Sequence, residues 1–127
     1  MSTDCNENEL VCFAHNILQK HQNALENIFE NVSDETIFRS IINRTYYGVF
    51  LRARNKAGIK RESASIHQDV INHYEKIKLT KVSNSLSKLR KSRELADYKT
   101  SEKVTIQDAR SSLRIAKNIL EVLDSSD

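Results

Sequence analysis

Apolar residues recur at spacings of three and four along most of the chain, the period with which side chains return to one face of an α-helix. Five segments carry such a stripe. In chain order they comprise Val11, Ala14, Leu18, His21, Leu25, Ile28 and Val32; Phe38, Ile42, Val49, Phe50 and Ala53; Ile66, Val70, Tyr74 and Ile77; Val82, Leu86, Leu89 and Ala96; and Ile106, Ala109, Leu113, Ala116, Leu120 and Leu123. The pattern therefore predicts five amphipathic helices that bury their stripes against one another.

Residues that favour helix ends lie at the borders of these stripes. Ser33 or Asp34 is placed to cap the second helix, which we expect to run to about Ala57 and to stop at Gly58. The later helices have start signals of their own, namely Ser65 with Gln68, Thr80, and Thr105 with Asp108. Short polar links between helices favour antiparallel packing, so we predict an all-α, up-and-down bundle of four to five helices.

Length and composition agree with one such domain over residues 1–127, with residues 1–8 and 124–127 expected to be frayed. The chain has two Gly and no Pro, too few turn residues for a sandwich or barrel of short strands. No apolar run approaches the roughly 18 residues of a membrane span, and the N-terminus lacks a signal core. We therefore expect a cytoplasmic protein without membrane association, in which Cys5 and Cys12 are reduced thiols and bind no metal.

The formal charge of +3 conceals a strong segregation along the chain. Residues 1–35 hold seven acids and one base, whereas residues 36–118 hold nineteen bases and seven acids. Between Lys76 and Arg93 there are seven bases and no acid. Such a surface attracts polyanions, RNA or DNA first, through phosphate neutralisation. A solvated basic face without a ligand is the alternative.

Arg93 contradicts its surroundings, because it continues the apolar stripe of the fourth helix toward Ala96. Burying a lone guanidinium is expensive, so the side chain must be paired or must line an interface or a cleft. Asp97 follows one helical turn later, and Tyr98 comes next. The pair serves either to order the helix end or, with the Tyr98 hydroxyl beside it, to hold an arginine that binds phosphate.

Two further features stand out. Tyr46 and Tyr47 are adjacent on the second helix and so point about 100° apart, which allows only one of them to be central in the core while the other lies near a cleft rim. Core packing alone also explains them.

His67 opens the third helix, whereas His15 and His73 look peripheral. Motifs of nucleotide-hydrolysing loops, hydrolase elbows and zinc proteases are absent from the sequence.

Three motifs together resemble the HEPN superfamily over about residues 35–123. They are Ile41-Ile42-Asn43-Arg44-Thr45-Tyr46-Tyr47-Gly48-Val49-Phe50, then His67 at the start of the third helix, then Arg93-Glu94-Leu95-Ala96-Asp97-Tyr98. The resemblance is closest to a small stand-alone branch with Arg-x-x-Tyr-Tyr-x-x-Phe and Arg-x-x-Ala-Asp-Tyr helices. It implies a helical bundle that pairs as a homodimer, with the polar motifs of two protomers in a shared cleft. Family members act as RNA-cleaving toxins, as RNA-processing or antiviral effectors, or as partners of minimal nucleotidyltransferases in two-gene, toxin–antitoxin-like modules.

The resemblance also assigns roles to residues. Catalytic members carry an Arg followed four to six residues later by a His; here Arg93 and Tyr98 take those places, with Asp97 between them. The expected catalytic group is Arg93, Asp97, Tyr98 and His67, of which His67 would supply an imidazole suited to proton transfer near neutrality. The expected RNA-binding residues are Arg44 and Tyr47, which the resemblance carries over, together with Lys88, Arg90 and Lys91, which belong to the basic run from Lys76 to Arg93. Neither a metal nor another cofactor is required.

Two functions remain open from the sequence. The first is a homodimeric, RNA-directed protein, whose catalytic form would be a metal-independent endoribonuclease. The second is a non-catalytic helical module whose basic face binds a nucleotidyltransferase or another acidic protein. A sequence-specific DNA binder is disfavoured, because no helix-turn-helix with a short Gly-containing turn is present.

Overall fold

The computed structural model describes residues 9–23, 33–99 and 101–125, and their side chains except at residues 20–23. Within these residues the chain forms five α-helices and no strand. They are α1 (Glu9–Asn23), α2 (Asp34–Ala57), α3 (Ile66–Lys76), α4 (Thr80–Tyr98) and α5 (Ile106–Ser125). The all-α bundle predicted from the apolar period is confirmed.

The longest helix, α2, organises the bundle, because it packs against each of the other four helices. Its predicted stripe is buried throughout, and its fully buried Ile41 and Val49 lie in the centre of the core. Residues from all five helices complete that core, including Ala14, Val70, Leu86, Leu89, Ala116 and Leu123. Of the stripe predicted for the first helix, Leu25, Ile28, Val32 and the side chain of His21 lie outside the described residues.

The ends of α2 follow the sequence. Ser33 caps the N-terminus, where its hydroxyl accepts a hydrogen bond of 3.1 Å from the backbone N–H of Thr36. Gly58 adopts a left-handed conformation with φ of 73°, and its N–H donates to the carbonyls of Arg54 and Asn55. A glycine at this position lets the chain leave the helix without the steric cost that a Cβ would bring.

The two predicted capping boxes differ in outcome. At α5, Thr105 and Asp108 form the reciprocal pair, since each backbone N–H donates to the other residue's side chain. At α3, the Ser65 hydroxyl makes no capping bond and lies 3.3 Å from the Asp69 carboxylate. Ser65 has φ of −103° and ψ of 18° instead of the extended backbone of an N-cap, and its hydroxyl donates to the carboxylate.

Three further expectations need correction. Ile77 is 49% exposed, because α3 ends at Lys76 and the chain turns at Lys78, whose φ is 65°. The last helix extends to Ser125 rather than fraying from residue 124, and Asp124 forms a 2.6 Å ion pair with Arg52 of α2. Cys12 is disulfide-bonded rather than a reduced thiol. Cys5 lies outside the described residues.

Candidate functional site

Arg93 forms the centre of a polar cluster between α2, α3 and α4. Its Nε lies 2.8 Å from Asp97 Oδ2, one turn along α4, and the arginine side chain is only 15% exposed. The pairing that the spacing predicts is therefore present. Nε is buried and its N–H points poorly for a hydrogen bond, so the contact with Asp97 is an ion pair.

Two tyrosine rings enclose the guanidinium. Nη2 of Arg93 donates to the hydroxyl of Tyr47 at 2.7 Å and to that of Tyr98 at 3.2 Å. The Cζ atom also lies over both rings, 5.0 Å from the Tyr47 centroid and 5.2 Å from that of Tyr98. Cation–π attraction and the hydroxyl contacts together fix the plane of the guanidinium.

The remaining nitrogen of the guanidinium, Nη1, has no such contact. Among the described residues no acceptor receives a hydrogen bond from it, and it is not one of the buried unpaired atoms. Burial disfavours the charge of Arg93, but Tyr47, Tyr98 and Asp97 outweigh this effect and raise the pKa above its ordinary value. The N–H pair of Nη1 is therefore charged, oriented and without an acceptor among the described residues.

Asp97 is held from α2 as well as from α4. The side-chain amide of Asn43 donates to Asp97 Oδ2 at 2.9 Å. Asn43 and Tyr47 are one turn apart on α2, as Asp97 and Arg93 are on α4, so the two helices run antiparallel with these pairs facing each other. We did not predict a role for Asn43, although its spacing of four from Tyr47 is a signal in the sequence.

His67 lies beside this cluster at the start of α3. Its Nδ1 shares a 2.6 Å hydrogen bond with the buried hydroxyl of Tyr46, and its ring stacks on Phe50 at 4.3 Å. The edge of Tyr47 is next to it, with ring centroids 6.1 Å apart. Tyr46 is 1% exposed and Tyr47 is half-buried, so Tyr46 belongs to the core and Tyr47 lies at its edge.

The protonation of His67 follows from these surroundings. Burial first, and then the positive charges of Arg90 and Arg93, hold the pKa of His67 below its ordinary value. Burial also raises the pKa of Tyr46, which keeps that phenol protonated at neutral pH. The imidazole is therefore neutral near pH 7 and has Nδ1 engaged, which leaves Nε2 for an outside partner.

The predicted RNA-binding residues divide into two groups. Tyr47 and Arg90 belong to the site; Arg90 donates to the Gln68 side chain at 3.3 Å, next to His67. Arg44 is exposed on the side of α2 that carries Tyr47. Lys88 and Lys91 are exposed as well, but they lie on the far side of α4, since Lys91 is about 200° around the helix from Arg93.

A second charged group, not foreseen from the sequence, holds the end of α4 in place. Arg39 of α2 donates to the carbonyl oxygens of Leu95 at 3.2 Å and of Ala96 at 2.7 Å, and also to that of Glu102. These carbonyls are at or beyond the C-terminal turn, where a helix leaves acceptors unpaired and favours a positive charge. Asp97 and Tyr98 sit in this turn, so Arg39 fixes their backbone.

Glu35, one turn before Arg39, is the second member of this charged group, which we call the Arg39 brace. Its Oε2 accepts from Arg39 Nη2 at 2.6 Å and from the backbone N–H of Val104 at 3.3 Å. The Arg39 hydrogen bond, followed by that from Val104, lowers the pKa of Glu35. The ion pair thus links the start of α2 to the connection between α4 and α5.

The described part of the chain contains neither a group of metal ligands nor a helix suited to span a membrane. Its His, Cys, Asp and Glu side chains form no group of three that could hold a metal ion. Of its five helices, none combines the length and apolar character that a bilayer span needs. No protein-family model matches the chain, and comparisons with curated proteins and with solved structures return no match.

Chemically, the cluster can bind an oxyanion and transfer a proton. The free N–H pair at Nη1 suits a phosphate oxygen, because a guanidinium held in one plane loses little freedom on binding. The neutral imidazole of His67 can accept a proton near neutral pH. The 69%-exposed Tyr98 ring can contact the same ligand from its outer side.

Proposed function

We propose that this chain is an RNA-directed protein of the HEPN type, in which Arg93 binds a phosphate of the RNA backbone. The observation that carries the proposal is the Arg93 guanidinium, which Asp97, Tyr47 and Tyr98 fix and whose Nη1 has no acceptor within the described part of the chain. The motif resemblance supports the family, and the basic middle of the chain supports attraction to a polyanion.

The proposed reaction is metal-independent cleavage of RNA. With the ring proton on Nδ1, where it is donated to the Tyr46 hydroxyl oxygen, His67 Nε2 accepts the proton of a ribose 2′-hydroxyl, and the 2′ oxygen forms a bond to phosphorus. The bond from phosphorus to the 5′ oxygen breaks, and that oxygen takes up the proton from His67 through solvent. Arg93 neutralises the non-bridging oxygens, Asp97 orients Arg93, and the Tyr98 hydroxyl binds the phosphate or the 2′-hydroxyl. The products are a 2′,3′-cyclic phosphate and a 5′-hydroxyl.

We further propose that the protein acts in the cytoplasm as a homodimer. The face of α2 that carries Arg44, Tyr47 and the 41%-exposed Leu51 adjoins the Arg93 cluster and offers a surface for a second copy. Pairing there would bring the clusters of two protomers to one cleft.

The test compares cleavage of a panel of RNAs by the purified wild type, Arg93→Ala and Arg52→Ala. The last variant is the matched control, since Arg52 also pairs with a carboxylate but lies away from the cluster. We expect Arg93→Ala to slow cleavage by about 100-fold or more, the usual effect of removing one electrostatic donor to a transition state. Equal cleavage by Arg93→Ala and wild type would remove the catalytic proposal.

A non-catalytic role is the second candidate, because Tyr98 stands where catalytic members of the family carry a histidine and His67 is already bonded to Tyr46. In this role the basic surface binds a nucleotidyltransferase or another acidic protein. RNA left intact by the wild type, together with co-elution of the protein with a nucleotidyltransferase encoded by a neighbouring gene, would favour it.

A further inference from the structure

Three polar side chains form a row of hydrogen bonds that begins beside the Arg93 cluster and follows the exposed side of α3. Arg90 Nη1 donates to Gln68 Oε1 at 3.3 Å, and Gln68 Nε2 donates to Asn72 Oδ1 at 2.9 Å. Gln68 directly follows His67, and Asn72 lies about 7.5 Å from His67 along the helix axis. The row therefore starts next to the imidazole and ends within reach of a nucleotide bound there.

The arginine fixes the direction of these hydrogen bonds. A guanidinium can only donate, so the Gln68 side chain turns its oxygen to Arg90 and its NH2 group to Asn72. Asn72 in turn offers its oxygen to Gln68 and is left with Nδ2, whose two N–H groups donate to no described residue. The outer end of the row is therefore a hydrogen-bond donor.

Asn72 also lines an open cleft between α3 and the connection that leads from α2 to α3. The volume of this cleft is about 340 Å³, within the roughly 300–1,000 Å³ of small-ligand pockets, and its other lining residues are Ile59, Arg61, Asp69, His73 and Lys76. The Asp69 carboxylate already accepts hydrogen bonds from Arg61, Ser63 and Ser65. A ligand in the cleft therefore meets the N–H groups of Asn72 and finds the carboxylate engaged.

We infer that Asn72, oriented by Gln68 and Arg90, reads a base next to the scissile phosphate and selects guanine or uracil over adenine and cytosine. This selection rests on the proposed function, because the cleft takes a base of the RNA that Arg93 binds. Guanine and uracil carry a carbonyl oxygen, O6 or O4, where adenine and cytosine carry an amino group. The Asn72 amide donates to the carbonyl, whereas an amino group would place two donors against each other.

The test uses 2′-O-methyl oligonucleotides that contain one ribose, so that only one bond can be cleaved through a 2′-hydroxyl. The base on either side of that bond is varied among the four. At one of the two positions, we expect the wild type to cleave substrates with guanine or uracil about tenfold faster than those with adenine or cytosine, since a matched base contact discriminates by about that factor. Asn72→Asp replaces the NH2 group by an acceptor of the same shape and should shift the preference to adenine and cytosine.

Asn84→Asp is the matched control, because it introduces the same charge at an exposed residue on the side of α4 that carries Lys88 and Lys91. It should keep the wild-type preference. Fluorescence anisotropy with fully 2′-O-methylated oligonucleotides measures the preference in binding, so a wild type that binds RNA without cleaving it still tests Asn72.

Three outcomes overturn the role of Asn72 while cleavage that depends on Arg93 stands. They are equal treatment of the four bases, a preference that Asn72→Asp leaves unchanged, and the same shift of preference in Asn84→Asp. RNA that is neither bound nor cleaved by the wild type removes the proposed function itself, and with it the base selection.

Discussion

Arg93 lies where the apolar stripe of α4 would otherwise have an aliphatic residue. Its neighbours supply the counter-charge and the hydrogen-bond acceptors that a partly buried guanidinium needs. Asp97 balances the charge, and the hydroxyls of Tyr47 and Tyr98 accept from Nη2. The sequence shows this conflict because a single charged residue interrupts an apolar period. It also indicates Asp97 as the partner, since residues four apart on a helix are neighbours.

His67 provides a residue-scale prediction. Its pKa should lie below that of an ordinary histidine, because burial and then the charges of Arg90 and Arg93 oppose protonation. Nuclear magnetic resonance titration of the imidazole measures this pKa directly. Arg90→Ala should raise it, whereas Lys91→Ala on the far side of α4 should not. A pKa at or above the ordinary value would show that the ring is solvated and not held in the cluster.

The same shift affects stability. A histidine whose pKa is lower in the folded state is protonated more readily after unfolding, so the free energy of unfolding falls as the pH drops below about 6.5. The loss continues until the folded-state pKa is passed. His67→Asn should remove this part of the pH dependence in chemical denaturation.

At the scale of elements, helix positions could be predicted but contacts between helices could not. The apolar period gave all five helices, and Ser33 and Gly58 marked both ends of α2. Asn43 escaped prediction because its partner Asp97 lies 54 residues away, and the contacts of Arg39 with α4 span 56 residues or more, where no local rule applies. The capping box at Ser65 failed for a local reason, since the Ser65 hydroxyl donates to the Asp69 carboxylate one turn later.

The antiparallel register of α2 and α4 would have revealed these contacts. Once Tyr47 is set opposite Arg93, the next turns bring Asn43 to Asp97 and Arg39 to the helix end. One interhelical contact is therefore enough to place the rest of the site. The sequence offers no means of choosing that first contact from the many that an antiparallel pair allows.

The Arg39 brace gives the element-scale prediction. Arg39→Met should lower the free energy of unfolding by about 2 kcal/mol, the usual size for a charged hydrogen bond lost from a partly buried group. Amide hydrogen exchange should accelerate most in residues 95–99 and 102–104, where the freed carbonyls lie. Arg61→Ala, which breaks an ion pair with a 65%-exposed arginine, is the control and should cost less than about 0.5 kcal/mol. Uniform acceleration over all helices would mean that Arg39 does not act on the end of α4.

Acid should weaken the brace as well. The pKa of Glu35 is lowered in the folded state. Its contribution to the free energy of unfolding is therefore fully present above the unfolded-state pKa of about 4.3 and is lost as the pH falls through the folded-state pKa. Glu35→Gln should remove that dependence and leave the part due to His67.

At the scale of the whole molecule, the exposed face of α2 is the proposed interface of a homodimer. The proposed homodimer has twice the 14.6 kDa mass of the chain. Leu51→Glu places a charge on the face next to Tyr47 and should shift sedimentation equilibrium toward the monomer. Ile77→Glu changes a similarly exposed residue at the end of α3 and should not. Equal behaviour of both variants, or a monomeric wild type, would exclude this interface.

The most direct test of the account is the salt dependence of RNA binding by Arg93. Fluorescence anisotropy with a 2′-O-methyl oligonucleotide, which cannot be cleaved through its 2′ oxygen, gives the affinity at several salt concentrations. If Arg93 neutralises one phosphate, Arg93→Ala should bind more weakly and reduce the slope of log K against log salt by about 0.7, while Arg52→Ala matches the wild type. Identical affinity and slope in all three proteins would contradict the claim that this guanidinium binds the RNA backbone.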